Sequence, residues 1–380
     1  MSARLLTLWR HPDFLKLWAG ETVSQFGSLI GGTALQFAAI LVLGASPIQI
    51  ALLAIAARLP AFLAGPLAGV WVDRLRRRPI MIAADCGRAI TLATIPAAAL
   101  LGALRIEQLY AVAFLDGIFT TFFDVAYQSY LPTLVTRNQL VEGNSKLAAT
   151  ASIAEISGFG IAGWLVQLVT APFAILADAA SFVVSALAVG LIRAPEPASR
   201  SRDAHRSAWH EAREGFRVVV GDPYLRALAV TTVIFELSFQ IVGAVIGLFG
   251  LRELGFSPGV LGTIYGVGGV SSLIGALLAG PVARRLGNGR AMVSGVLMMG
   301  LSILWLPLAP GPTIVGALFL VAQQLFGDGC YTIYDVNQVS LRQAITPDHL
   351  LGRVNSTVQV GGLGGMLVGA LLGGVLGDTL

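Results

Sequence analysis

Charge is scarce in this sequence: Asp, Glu, Lys and Arg make up only 12% of its 380 residues, against about 25% in a soluble domain. Cysteine is scarcer still. Cys86 and Cys330 are the whole complement, both inside apolar runs, so neither a disulfide framework nor a cysteine-based metal centre is expected. The four histidines (His11, His205, His210, His349) fall in polar connecting stretches. HExxH, a nucleophile elbow and a Walker loop are all missing, so no catalytic constellation and no self-contained ATP-driven pump is expected. The chain is read as a non-enzyme with no cofactor and no metal. The N-terminus, MSARLLTLWRHPDF, lacks a long apolar region ahead of a small-residue cleavage site, so no cleaved signal peptide is expected.

What is abundant is apolar surface. The chain is 55% hydrophobic with 45 glycines and a mean hydropathy of +0.77. Apolar runs long enough to cross a hydrocarbon core of about 30 Å as a helix recur along nearly its whole length. An all-α integral membrane protein follows. Spans are read at 14–43, 48–72, 79–104, 107–131, 145–168 and 172–192, then at 224–251, 258–283, 290–309, 313–335 and 354–377. With the spans alternating, every Lys and Arg falls on the N-terminal side or in the first residues of a span at that side, except Arg105 and Arg252, on the far side, and Arg58 and Arg88, deep inside spans. The positive-inside rule then puts the N-terminus in the cytoplasm. It also accounts for the basic pI of about 9.3 without nucleic acid.

The stretch 193–222 reads as a cytoplasmic linker. Pro, Ser and Arg open it, and Trp209, Ala212, Phe216 and Val219 then recur at helical spacing, as in an interfacial amphipathic helix. It separates an N-terminal half, 1–192, from a C-terminal half, 223–380. The halves match at a shift of about 211 residues. Pro12 pairs with Pro223, Leu67-Ala68-Gly69 with Leu278-Ala279-Gly280, and Asn144-Ser145 with Asn355-Ser356. "DGIFTTFFDVA" (116–126) resembles "DGCYTIYDVN" (328–337) with one residue deleted. A series at nearly constant offset is a duplication. Six spans precede the linker and five follow it, so the twelfth that the repeat asks for is missing from these 380 residues.

The stretch "GVWVDRLRRRPIMI", from residue 69, resembles the signature loop of the major facilitator superfamily between helices 2 and 3. Gly69, Asp73, Arg74, Arg77 and Arg78 match that pattern, whereas Trp71, Val72 and Arg76 replace its usual Leu, Ala and Gly. "ADCGRA", "FFDVAYQSYLPTLV", "EAREGFRVV" and "SLRQAITPDHLLGRVNST" narrow the resemblance. It points to the drug-exporter branch that holds macrolide-efflux and enterobactin-exporter-type proteins. The resemblance implies two parallel six-helix halves and helices 1, 4, 7 and 10 around a central cavity. It also implies that the loop latches the cytoplasmic side in the outward-facing state. Gly69 permits close helix packing, Asp73 accepts charge-assisted bonds, and arginine forks clamp carboxylates or helix C-terminal carbonyls.

An ionisable group in hydrocarbon costs at least ~2.5–3.5 kcal/mol, so each should face a cavity or a partner. Asp85 and Arg88, three apart on one helix, are expected to pair. Asp124 and Asp335, near the cytoplasmic ends of helices 4 and 10, are expected to join the latch. Asp178 is expected to be solvated near the outer end of helix 6. On the implied cavity helices lie Glu21, Gln25, Asp116, Glu236 and Asp328, with Arg58 as a countercharge for any of them. A buried carboxylic acid exchanges a proton nearer neutral pH, as proton coupling requires. Phe119, Phe123, Phe239 and Tyr331 offer aromatic walls for large lipophilic, often cationic, molecules. These residues form the candidate proton and substrate path.

Together these features point to a secondary transporter, an alternating-access exporter of drug-like or siderophore-like small molecules coupled to protons. The alternatives are a proton-coupled uptake permease and a non-transporting, degraded or regulatory, relative. The expected partners are a small-molecule substrate, protons and the lipid bilayer, with no nucleic acid. A multi-pass monomer in the plasma membrane, a bacterial inner membrane, is expected.

Overall fold

Prolines and caps set the helix boundaries in the computed structural model. It describes residues 8–136, 139–196, 208–347 and 350–379, and excludes the side chains of 65–67, 69, 70, 73, 74, 141 and 208–211. Twelve α-helices are present: α1 (Pro12–Phe37), α2 (Pro47–Arg74), α3 (Arg77–Leu100), α4 (Ile106–Leu134), α5 (Leu140–Val169), α6 (Ala171–Gly190), α7 (Ala208–Gly221), α8 (Pro223–Leu248), α9 (Pro258–Leu286), α10 (Asn288–Ile303), α11 (Ile314–Ile345) and α12 (Leu351–Thr379). All but α7 are long and apolar enough to cross a membrane, eleven in the described residues. The protein is an all-α membrane protein.

The 211-residue repeat is written into the caps. α1 and α8 both begin with Pro at the first turn, where a missing N–H costs nothing. Ahead of them His11 Nδ1 accepts from the Phe14 N–H at 3.1 Å, and Asp222 Oδ1 from the Tyr224 and Leu225 N–H groups at 2.9 Å. Both helices end in a π-helical turn, Ala38–Val42 and Phe249–Glu253. A left-handed glycine follows each, Gly44 at φ 64° and Gly255 at φ 67°, a conformation that glycine adopts without a Cβ clash. Ser46 and Ser257 then precede Pro47 and Pro258, which open α2 and α9.

Within each unit the packing order also repeats. α2 lies on α4 and α3 on α4, as α9 lies on α11 and α10 on α11. A Cβ at Gly117 of α4 would lie 2.6 Å from the Ala57 carbonyl of α2. One repeat on, the side chain of Asp328 in α11 lies over Gly268 of α9. The two helices therefore keep a constant register with no deletion, and Asp328 takes the place of Gly117, not of Asp116. This corrects the pairing of the two "DG" motifs.

α11 runs to Ile345, ten residues beyond the expected end at 335. Nothing in "VNQVSLRQAI" breaks a helix, and the stop comes at Thr346, extended ahead of Pro347, as proline demands of its predecessor.

The chain divides into two units, 1–158 with 165–204, and 159–164 with 205–380. In the second unit, the glycine-rich face of α12 lies directly on α8. A Cβ at Gly365, Gly369 or Gly373 would strike the carbonyl of Val233, Leu237 or Ile241 in turn. Glycine at every fourth position allows backbones to approach where lipid supplies no hydrophobic drive.

The expected interfacial helix, α7, is docked on protein. Arg353 Nη1 of α12 reaches Glu214 Oε2 at 2.9 Å. Gly215 leaves room for the Arg353 carbonyl, and Val219 is buried with Leu225 and Val354. Phe216 remains 61% exposed. The side chain of Trp209 lies outside the described residues.

Candidate functional site

In the first unit the buried charges gather on Arg88 of α3. Its Nε donates to Asp116 Oδ1 of α4 at 3.1 Å, and its Nη2 to Ser28 Oγ of α1 at 3.3 Å. Its guanidinium carbon sits 3.6 Å from the ring centre of Phe182 of α6, a cation–π contact that gains strength away from water. Four further carboxylates have Arg88 as an electrostatic partner: Glu21, Asp85, Asp124 and Asp178. One guanidinium thus bonds one acid, Asp116, and lies within electrostatic range of four more on α1, α3, α4 and α6.

Several expectations change here. Arg88 bonds Asp116 rather than Asp85. Asp85, 0% exposed, faces the Ser185 hydroxyl without a regular hydrogen bond. Arg58 is exposed on α2 and forms no ion pair among the described residues, so the countercharge is Arg88. Asp178 is not solvated but 4% exposed. Gly27 and Gly31 of α1 explain it, because a Cβ on either would strike Ser181 or Asp178 of α6. The Gly-x-x-x-Gly spacing at 27–31 was the sequence signal for this close approach.

Of the other residues on the candidate path, Gln25 Nε2 donates to Glu21 Oε1 at 2.9 Å, leaving Glu21 Oε2 buried without a hydrogen bond. Phe119 fills the gap above Gly87 of α3. Phe123 is core: it is buried with Phe14, Met81 and Tyr130, because position 123 faces α1 and α3.

The second unit carries a different cluster. Phe235 of α8 stacks on Tyr331 of α11 with centroids 4.6 Å apart, and on Phe239 at 5.8 Å. Tyr334 closes the group at 6.2 Å from Phe235. Phe239 is 49% exposed, so the ladder has an open end. Glu236 and Asp335 both lie within electrostatic range of Tyr331. Glu236 packs against Gly362 of α12. Asp328 Oδ2 accepts from Gln324 Nε2 at 3.2 Å. Stacking makes Phe235 the centre of the group.

The side chains of Gly69, Asp73 and Arg74 lie outside the described residues. Glu196, just after α6, caps α3: Oε1 accepts the Arg77 N–H at 2.5 Å and Oε2 the Arg78 N–H at 3.3 Å. Arg77 Nη1 lies 3.8 Å from Glu196 Oε1. Arg78 Nε donates to the Val189 carbonyl at 3.0 Å and its Nη2 to that of Gly190, closing the C-terminus of α6. Asp13 of α1 accepts from the N–H groups of Arg193 and Ala194 at 3.2 and 2.9 Å. Both motif arginines thus hold the junction after α6. Asp124 and Asp335 each lie ten residues, about 15 Å, before the ends of α4 and α11. Asp124 is within electrostatic range of Arg88 and Asp335 of Arg342.

Eleven apolar helices, a tandem repeat and charges held inside the helix bundles define a helical membrane transporter. The Major Facilitator Superfamily model matches residues 17–370, and the chain belongs to that family, whose members are transporters and not enzymes. Macrolide efflux protein A of Streptococcus pyogenes is 25% identical over 371 residues, covering 97% of this chain and 90% of that protein. Multidrug efflux pump Tap of Mycolicibacterium fortuitum is 26% identical over 88% of this chain and 82% of its own length. Enterobactin exporter EntS of Escherichia coli O1:K1 / APEC is 24% identical over 82% and 73%. Among solved structures, nucleoside transporter NupG superposes with a TM-score of 0.76 at 15% identity, covering 96% of this chain and 90% of that one. A bacterial homologue of the iron transporter ferroportin gives 0.72 at 18%, covering 96% and 92%. At these identities the structures speak for the fold alone.

Proposed function

We propose that this transporter exports lipophilic, drug-like or siderophore-like molecules by alternating access and draws its energy from the proton gradient. One observation carries the reading: the buried Arg88 guanidinium bonds Asp116, while Asp85, Asp178 and Glu21 Oε2 are buried in the same unit with no ion pair among the described residues. Such a deficit of positive charge in a low-dielectric bundle is relieved by protons, and Asp116 is the acid in direct contact with the arginine. The stacked rings of Phe235, Phe239 and Tyr331, beside Glu236 and Asp335, suit flat or cationic lipophilic substrates. The efflux names of the relatives agree with this direction of transport. In the proposal the N-terminus faces the cytoplasm, as the arginine bias requires, and the protein works as a monomer.

The test uses inside-out membrane vesicles loaded from the outside with a labelled macrolide. Accumulation that requires a proton gradient and collapses with a protonophore is the expected result. Accumulation only in right-side-out vesicles would mean uptake. No gradient-driven movement of the macrolide or of a panel of lipophilic cationic dyes would favour a non-transporting relative and overturn the proposal.

A further inference from the structure

Position 76 is one of three where the signature loop departs from its family pattern, with arginine in place of the usual glycine. The structure gives that arginine a setting. Arg76 is exposed immediately ahead of α3 and borders a crevice of about 670 Å³. The walls are Pro79, Ile82 and Ala83 of α3, and Arg193, Ala194 and Pro195 beyond α6. Arg78 and Glu196 also line it, but both are committed: Arg78 to the carbonyls of Val189 and Gly190, Glu196 to the first turn of α3 and to Arg77. Arg193 spends its backbone N–H on Asp13 while its side chain is exposed. Among the described residues, neither the Arg76 nor the Arg193 guanidinium has a hydrogen-bond or ion-pair acceptor.

Two uncommitted guanidiniums therefore border one crevice whose other walls, apart from the committed Arg78 and Glu196, are apolar. The crevice lies where two membrane-capable helices, α3 and α6, meet the polar boundary. We propose that it binds the headgroup of an anionic phospholipid. Arg76 and Arg193 would donate to the phosphate, whose oxygens match the arginine fork. Pro79, Ile82 and Ala83 would lie along the glycerol and the first acyl carbons. A free phosphate offers the same oxygens but nothing for that apolar wall, and Pro79 and Ala83 are exposed along a helix that crosses the membrane. The positive-inside rule makes this the cytoplasmic leaflet.

The experiment titrates the purified full chain with phosphatidylglycerol and, separately, phosphatidylcholine, reading bound lipid by native mass spectrometry. Each basic side chain near a membrane surface contributes about fivefold in affinity. R76Q and R193Q should each weaken phosphatidylglycerol binding by about that factor and the double variant by at least tenfold, with phosphatidylcholine unchanged. R290Q, at an exposed arginine by the start of α10, should change nothing. R76K/R193K, which keeps the charge, should recover part of the loss and so separates a lost site from a damaged fold. Phosphatidylglycerol affinity within twofold of wild type in R76Q/R193Q would overturn the proposal. So would displacement of the lipid by millimolar inorganic phosphate, which would mark a soluble-anion site.

Discussion

Replacing Arg88 by glutamine removes the cation bonded to Asp116 and within electrostatic range of four other acids, and the cost can be worked from its contacts. The variant loses a charge-assisted bond to Asp116 at 3.1 Å, a longer one to Ser28 at 3.3 Å, and the cation–π contact with Phe182 at 3.6 Å. A hydrogen bond to a charged group contributes about 1.5–3 kcal/mol, and a desolvated cation–π contact about 2 kcal/mol. The total, about 3–5 kcal/mol, matches what breaking a buried ion pair costs when one partner stays behind. Asp116→Asn should cost less, because Arg88 keeps Asp85, Asp178, Glu21 and Asp124 within range. Arg88→Lys, which preserves charge but not the fork, should fall between. The assay is thermal unfolding of the detergent-purified protein, with Arg58→Gln as the reference, since Arg58 is exposed and forms no ion pair among the described residues. An R88Q midpoint equal to that of R58Q would refute this account of Arg88.

Four shorter predictions complete the set. Gly31→Leu places a side chain where Asp178 already lies; it should destabilise by about 1–3 kcal/mol or more, while Gly32→Leu, with nothing within 4 Å, should melt as wild type. Gly369→Leu would strike the Leu237 carbonyl of α8 and should reduce folded yield on size-exclusion chromatography far more than Gly364→Leu, which meets open space. Glu196→Ala removes the cap from α3, a loss of about 0.5–2 kcal/mol, and limited trypsin digestion should then cut after Arg193 faster than in wild type; equal cleavage would deny Glu196 its anchoring role. Single cysteines at Arg76 and Ser257, in a background lacking Cys86 and Cys330, should label from opposite membrane faces; labelling from one face would sink the topology.

The fold was legible because hydropathy, proline and glycine act locally. Eleven spans came from apolar length, and the repeat came from matching residues such as Pro12 and Pro223, which prove to open α1 and α8. The candidate site was legible only as a set of residue types. Asp85 and Arg88 share a helix face, so spacing paired them, yet the geometry that decides the bond is the approach of α4, which brings Asp116 to Arg88. Asp178 was misplaced for a similar reason. Its burial depends on two glycines 151 and 147 residues away on α1, Gly27 and Gly31, whose spacing was visible but whose partner was not. Phe123 and Phe239 look alike in the sequence. One is core and the other half-exposed because each helix meets different neighbours.

The basic loop and the connection between the units belong to one argument. Glu196, Asp13 and Arg78 fix the chain after α6 to the first unit, and Glu214 with Arg353 fixes α7 to α12 in the second. The described residues thus anchor the chain up to Glu196 in the first unit and from α7 onward in the second. An arginine that holds this anchor is not free to act as an independent latch. If Arg77 or Arg78 gates the transporter, it must do so by releasing Glu196 or the α6 carbonyls. E196A tests this, because it removes the anchor while leaving every arginine of the loop in place.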